Sequence, residues 1–174
     1  SSAASDVYKR QYIDNLIIQQ NVDPGYATSP LPLIDADKVH LDGITGDNVT
    51  IAVLDSGSWM HENVRWDDSG NERVKVFYDA TTDQILSSNH QNFELINDGF
   101  GHGSHISSVI ASDGYSNDSD HRFIGVAPEA DLVMVKVLDE SGAGTYDDVI
   151  RGIDWVVDNK DLYDIRIINL SLYG

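Results

Sequence analysis

Two histidines and three glycines lie within seven residues, Gly99 to His105, and an apolar run follows them directly. Glycine lets the backbone turn tightly and lets other groups approach closely. Histidine is the side chain best suited to exchanging protons near neutral pH. A histidine held where a loop enters a helix is well placed to act as a general base, and the alternative is a glycine-rich turn that carries two incidental histidines.

A second candidate for chemistry follows an apolar strand. Val49 to Leu54 reads V-T-I-A-V-L, and Asp55-Ser56-Gly57 comes directly after it. This β-branched run is typical of a strand that is buried on both faces of a parallel sheet. Asp55 would lie at the carboxyl end of that strand, where catalytic groups gather in open α/β sheets. The alternative is an ordinary turn that leaves a strand.

The rest of the chain supplies elements that could position these side chains. Apolar runs predict strands at Leu132 to Leu138 and at Ile165 to Leu172, and Thr145 can cap an amphipathic helix between them. Arg73 to Tyr78 predicts a further strand inside residues 58–97, which we interpret as an excursion from the sheet. Strand, helix and strand in this order predict an α/β fold.

Composition limits the classes of function. The 174 residues correspond to one domain or a piece of one, and 29 acidic against 11 basic residues give a net charge of −18. Such a surface repels nucleic acid and anionic membranes, so we expect neither as a partner. No apolar run is long enough to span a bilayer. The absence of cysteine excludes disulfides and thiolate catalysis.

Clustered oxygen ligands suggest a cation site in the loop after the histidines. The spacing of these residues does not match an EF-hand loop, and a solvated acidic loop is the alternative. The candidate metal ligands are Asp113, Asn117, Asp118 and Asp120.

Four motifs, taken in order, resemble those of subtilisin-like serine proteases, the peptidase S8 family. They are V-T-I-A-V-L-D-S-G at Val49 to Gly57, G-H-G-S-H at Gly101 to His105, G-V-A-P at Gly125 to Pro128 and I-N-L-S-L-Y-G at Ile168 to Gly174. The resemblance covers most of the chain, from about residue 35 onward. It implies a three-layer α/β fold, a mostly parallel sheet with helices on both faces, which would be incomplete here.

The resemblance also implies an Asp-His-Ser mechanism of peptide-bond hydrolysis. Asp55 would orient the imidazole, and His102 would act as general base and then as general acid. The serine and the amide of the oxyanion hole are expected beyond Gly174, so residues 1–174 alone should be inactive. His105 is expected to have a structural role. No cofactor is expected for catalysis, and the acidic residues of the loop after the histidines allow structural calcium.

A cleft for an extended peptide or protein substrate is implied as well, with main-chain hydrogen bonds from strand addition. Tyr146, Val149 and Leu172 would line an apolar subsite, and core packing is the alternative for all three. Tyr173 stands where the family usually has glycine beside its specificity pocket. The implied substrate-binding residues are Gly142, Ala143, Gly144, Tyr146, Ser171, Leu172 and Tyr173.

These observations predict the organisation of the chain. Residues 1–11 have no usable periodicity and are interpreted as an extraneous or disordered leader. Residues 12–174 are interpreted as the amino-terminal part of a subtilisin-like peptidase catalytic domain that continues beyond 174. The resemblance implies a secreted, extracellular enzyme and allows for a propeptide. Two other functions stay open: a non-catalytic peptide-binding relative that lacks the serine, and a calcium-binding domain of an acidic exoprotein.

Overall fold

The computed structural model describes residues 31–59, 61–67, 70–86, 97–114 and 124–172. A 3-10 helix, Leu31–Leu33, comes first among them. The helices are α1 (Ala36–Leu41), α2 (Glu62–Arg65), α3 (His102–Ala111) and α4 (Tyr146–Asn159). The strands are β1 (Thr50–Asp55), β2 (Val74–Asp79), β3 (Gln84–Leu86), β4 (Asp131–Lys136) and β5 (Ile165–Leu170).

The five strands form one sheet in the order β3-β2-β4-β1-β5. All neighbouring pairs are parallel except β2 and β3, which are antiparallel. β1 lies between β4 and β5, with Asp55 opposite Lys136 and Leu54 opposite Leu170. The carboxyl ends of these three parallel strands therefore meet at one edge, and the loops that follow them lie side by side.

Helices cover both faces of the sheet. Alternate residues of β1 face opposite sides, because successive side chains of a strand point to opposite faces. Ile51 and Val53 belong to a core that includes Ala111 of α3. Ala52 and Leu54 belong to a second core, with residues of α4. The predicted three-layer α/β arrangement is therefore confirmed.

Local signals define α4 most clearly. Thr145 accepts a hydrogen bond from the backbone of Asp148, and the Asp148 side chain accepts one from the backbone of Thr145, which completes a capping box. The predicted cap is confirmed. No helix among the described residues is long and apolar enough to cross a membrane.

Four elements differ from the prediction. Val74–Asp79 pairs with β4 inside the sheet, so the interpretation of residues 58–97 as an excursion is wrong for this strand. α3 begins at His102, four residues before the apolar run that indicated it. α2 and β3 were not predicted, since four and three residues are too few for a detectable periodicity. The leader interpreted at residues 1–11 lies outside the described residues.

A buried arginine joins the second strand to its surroundings. Arg73 is only 2% exposed, and its guanidinium donates to the carbonyl groups of Asn63 and Ala111, both at 2.8 Å. It also donates to the carbonyl groups of Trp66, at 3.1 Å, and Pro128. One side chain therefore satisfies backbone acceptors from α2, from the end of α3 and from the loop before β4.

Replacing Arg73 with methionine should lower the free energy of unfolding by about 3 kcal/mol, because four backbone carbonyl groups each lose one donor. Chemical denaturation measures the change. Arg166→Met is the control, since that side chain is 65% exposed and pairs with Asp164 at the surface. We expect the control to change stability by less than about 1 kcal/mol. Equal losses in the two variants would contradict this role of Arg73.

Candidate active site

The site is built on a carboxylate at the end of the central strand. Asp55 is the last residue of β1 and has no exposure to solvent. Its two carboxylate oxygens lie 2.7 and 2.8 Å from Nδ1 of His102. The backbone amide of Ser56 also donates to Oδ1, at 2.7 Å. The structure thus brings together the two residues that the sequence singles out, 47 positions apart.

The second residue of the pair stands at the start of a helix. His102 is the first residue of α3, and its side chain is 20% exposed. A Cβ atom at Gly103 would overlap the carbonyl oxygen of Gly57. Only glycine at position 103 therefore lets the first turn of α3 approach the loop after β1 closely enough for the imidazole to reach Asp55.

This contact sets the chemistry of the imidazole. A carboxylate is an acceptor only, so Nδ1 of His102 must be the donor, and Nε2 is the basic nitrogen of the neutral ring. When Nε2 takes up a proton, the buried Asp55 carboxylate stabilises the resulting cation. The pair can therefore remove a proton from a hydroxyl group and later return it to a leaving group.

A second carboxylate, which sequence reasoning did not assign, organises the loop before α3. Oδ1 of Asp98 accepts hydrogen bonds from the amide of Gly101 at 2.9 Å and from the hydroxyl of Ser56 at 2.7 Å. Its Oδ2 accepts from the amide and the hydroxyl of Ser104, at 2.7 and 2.6 Å. The signal in the sequence is an aspartate just before a glycine turn with a serine in the following helical turn.

The environment of Asp98 lowers its pKa. Burial acts in the opposite direction and raises the pKa, but the hydrogen bonds from Ser104, Ser56 and Gly101 to the ionised form together outweigh it. Ser56 links this group to the catalytic candidate, because its hydroxyl donates to Asp98 and accepts from the amide of Gly103 at 2.9 Å. The two carboxylates thus belong to one hydrogen-bonded cluster.

The other histidine of the motif lies three residues further along α3. His105 is exposed on α3. Desolvation by the surrounding protein, and then the charge of His102, lower the pKa of its ring. The structural role expected for His105 stays a prediction.

The glycine loop after β4 is closed by an aspartate. Oδ1 of Asp139 accepts from the amides of Ser141 at 2.8 Å and Ala143 at 3.0 Å. The amide of Asp139 in turn donates to the carbonyl of Ala143 at 2.7 Å. The hydroxyl of Ser141, followed by the Ala143 and Ser141 amides, lowers the pKa of Asp139. These hydrogen bonds close residues 139–143 into a turn, which Gly144 follows.

The two predicted peptide-binding segments lie on opposite sides of Asp55. Residues 142–144 follow β4, residues 171–172 follow β5, and both strands pair with β1. The hydroxyl of Ser171 donates to the side chain of Asn169 at 3.0 Å. This placement is compatible with a peptide crossing the edge of the sheet beside Asp55, and the binding roles stay predictions.

Of the three residues predicted to form the apolar subsite, only Tyr146 is largely exposed to solvent. Tyr146 is 82% exposed at the start of α4. Val149 and Leu172 are partly buried and pack against the core on the α4 face, as the core-packing alternative expects. Tyr173 lies outside the described residues.

The predicted cation site has one described member. The backbone of Asp113 bridges to Ile124 and donates to the carbonyl of Asn63 at 3.0 Å. Asn117, Asp118 and Asp120 lie outside the described residues. Within the part of the chain that the structure describes, no three His, Asp or Glu side chains come together as a metal site. Calcium binding stays a prediction.

Replacing Asp98 with asparagine should give a pH-dependent loss of stability. The folded-state pKa of Asp98 lies below its usual value of 3.8, so its carboxylate stabilises the fold fully above pH 3.8. That contribution is lost as the pH falls through the lower folded-state value. At neutral pH we expect the variant to be less stable by about 1–3 kcal/mol.

Urea unfolding of the protein and the Asp98→Asn variant between neutral and strongly acidic pH tests this expectation. The difference in free energy of unfolding between the two proteins should stay constant above pH 3.8 and shrink as the pH falls below that value. A difference that stays constant over the whole range would contradict it, because the lost interaction would then not depend on the carboxylate charge.

The family model and the similar proteins of known family agree with one another. The subtilase family model matches residues 46–173. Subtilisin DY from Bacillus licheniformis is 33% identical over 144 residues, which cover 83% of this chain and 44% of that protein. Serine protease AprX from Bacillus subtilis is 37% identical over 134 residues, which cover 75% and 26% respectively. The major intracellular serine protease of Bacillus subtilis is 33% identical over 165 residues, which cover 94% and 45%.

A solved structure supports the same relation. The CspB protease of Clostridium perfringens matches with a TM-score of 0.62 and 26% sequence identity, over 75% of this chain and 30% of that one. The chain spans less than half the length of the curated relatives described above. The family match includes β1, α3, β4 and α4, and with them both Asp55 and His102. The chain therefore belongs to the subtilase family.

Proposed function

We propose that this protein is a serine endopeptidase that cleaves peptide bonds with an Asp-His-Ser triad. The observation that carries the proposal is the contact between the buried Asp55 carboxylate and Nδ1 of His102, at 2.7 and 2.8 Å. Membership of the subtilase family supports the same chemistry. The serine is assigned to the part of the protein that follows residue 174.

Serines near the pair have other partners. The hydroxyl of Ser56 donates to Asp98, and so does the hydroxyl of Ser104. A carboxylate that holds a hydroxyl proton in this way competes with an imidazole for it. These contacts support a nucleophile that comes from elsewhere in the protein, and we expect residues 1–174 alone to be inactive.

The chemistry of each step follows from the geometry of the pair. The serine oxygen attacks the scissile carbonyl carbon while Nε2 of His102 takes its proton, which gives a tetrahedral intermediate. The imidazolium then returns the proton to the leaving amine, and the C–N bond breaks. Water repeats the sequence on the acyl-enzyme, releasing the acid and regenerating the serine. Asp55 stays ionised and stabilises the imidazolium in both halves.

The substrate in this proposal is an extended peptide segment. Residues 142–144 and 171–172 would offer backbone donors and acceptors on the two sides of it, as in strand addition. The extracellular location predicted from the resemblance is a separate question, since one relative is an intracellular serine protease by name.

Replacing Asp55 with asparagine in the full-length protein should reduce kcat by about 10⁴-fold. The amide favours the wrong tautomer of the His102 ring and provides no negative charge to stabilise the imidazolium. His102→Ala should reduce kcat by about 10⁶-fold. Hydrolysis of an internally quenched extended peptide measures both, and KM should change little. Asp154→Asn, a charge change on the exposed side of α4, should keep full activity.

Two results would contradict the proposal. One is hydrolysis that survives in both variants, which would place the chemistry elsewhere. The other is a folded full-length protein that binds extended peptides and cleaves none of them, which would favour the non-catalytic peptide-binding alternative.

A further inference from the structure

One pair of charged side chains joins three loops at the edge of the sheet where the site lies. Lys136 ends β4 and is 7% exposed, and its Nζ donates to the carbonyl of Ser56 at 2.6 Å. The same Nζ lies 3.2 Å from Oε1 of Glu140. The other oxygen of Glu140 accepts from the amide of Gly99 at 2.6 Å. The loop after β1, the loop before α3 and the loop after β4 therefore all contact this pair.

A packing contact lies beside this bridge. A Cβ atom at Gly142 would lie 2.5 Å from the Phe100 ring, so the ring rests directly on the glycine backbone. Gly142 also has φ +77°, a conformation that glycine adopts without strain. The Phe100 ring centroid is 6.4 Å from that of His102. The same two loops are thus held together twice, by Glu140 on Gly99 and by Phe100 on Gly142.

We propose that Lys136 and Glu140 are positioning residues, which keep the glycine loop 142–144 at a constant distance from His102. This inference rests on the proposed peptidase function. Neither side chain touches a reacting atom. Their effect would be to hold the loop where an extended peptide can bind along it beside the base, so a loop that loses this support binds the peptide more weakly.

A simpler role for Glu140 makes a different prediction. A buried ammonium group needs a counter-charge, and Glu140 could serve Lys136 in that way alone. Glu140→Gln would then lose as much activity as Glu140→Ala, because neither side chain carries a charge. In the positioning role, a glutamine oxygen still accepts the hydrogen bond from Gly99, so Glu140→Gln should be much less affected than Glu140→Ala.

Kinetics of the full-length protein with extended peptide substrates separate these roles. Glu140→Ala should lower kcat/KM by about 10- to 100-fold, mostly through KM, since the loop loses its tie to the loop that carries His102. Glu140→Gln should recover most of this loss. The Glu140 side chain is 53% exposed, so both variants should fold. Asp147→Asn is the control, because it removes an exposed negative charge close by, in the first turn of α4.

Hydrogen exchange of the Gly99 amide gives a second readout that needs no activity. Exchange should become faster in Glu140→Ala and stay near the original rate in Glu140→Gln and Asp147→Asn. Lys136→Met should loosen the same amide, since Glu140 loses the partner that holds it.

The inference is overturned if Glu140→Ala leaves both KM and Gly99 exchange unchanged, or if Glu140→Gln is as impaired as Glu140→Ala. Failure of the proposed function has a separate signature, which is a full-length protein that cleaves no peptide. In that case the Kd of an extended peptide replaces KM, and a Kd that does not change in Glu140→Ala overturns the positioning role.

Discussion

The structure depends above all on the full burial of one carboxylate. Asp55 has no contact with solvent, and removing an ionised carboxylate from water costs several kcal/mol unless donors replace the water. Those donors are the amide of Ser56 and Nδ1 of His102. The fold must therefore bring the first turn of α3 against the end of β1, and the glycine at position 103 is the local condition for it.

The polar groups around this carboxylate hold the neighbouring loops in place by hydrogen bonds. Asp98 holds the loop before α3 through Gly101 and Ser104, and its link to Ser56 ties that loop to β1. Asp139 closes the neighbouring glycine loop in a comparable way. Most acceptors in these contacts are carboxylates and several donors are backbone amides. Such charge-assisted bonds fix geometry well, which is what preorganised catalysis requires.

Sequence reasoning succeeded where the signal is local. The apolar run of β1, the Thr145 cap and the stripe of α4 could be predicted because each depends on neighbouring residues. Membership of Val74–Asp79 in the sheet was missed, because it depends on pairing with β4, more than fifty residues away. The contact between Asp55 and His102 could be expected only from the resemblance to a family. Spacing alone does not show that two residues 47 positions apart lie together.

The supporting residues were harder to find for a physical reason. Asp98 and Glu140 are polar residues on loops, and in a chain with 24 aspartates and 5 glutamates they look like solvated surface. Their partners are backbone amides, which every residue type except proline offers, so no residue pattern marks the contact. Lys136 is easier to recognise from the sequence. It lies inside the apolar run L-V-M-V-K-V-L, and a lysine in a buried strand must find polar partners.

In the proposed mechanism, Asp55 and His102 activate a serine supplied by the same protein. Reaction of the full-length protein with a fluorophosphonate, followed by mass-spectrometric mapping of the labelled residue, tests this most directly. We expect one labelled serine per molecule, located after residue 174, and almost no label in His102→Ala. Labelling of a serine within residues 1–174, or equal labelling of the His102→Ala variant, would contradict it.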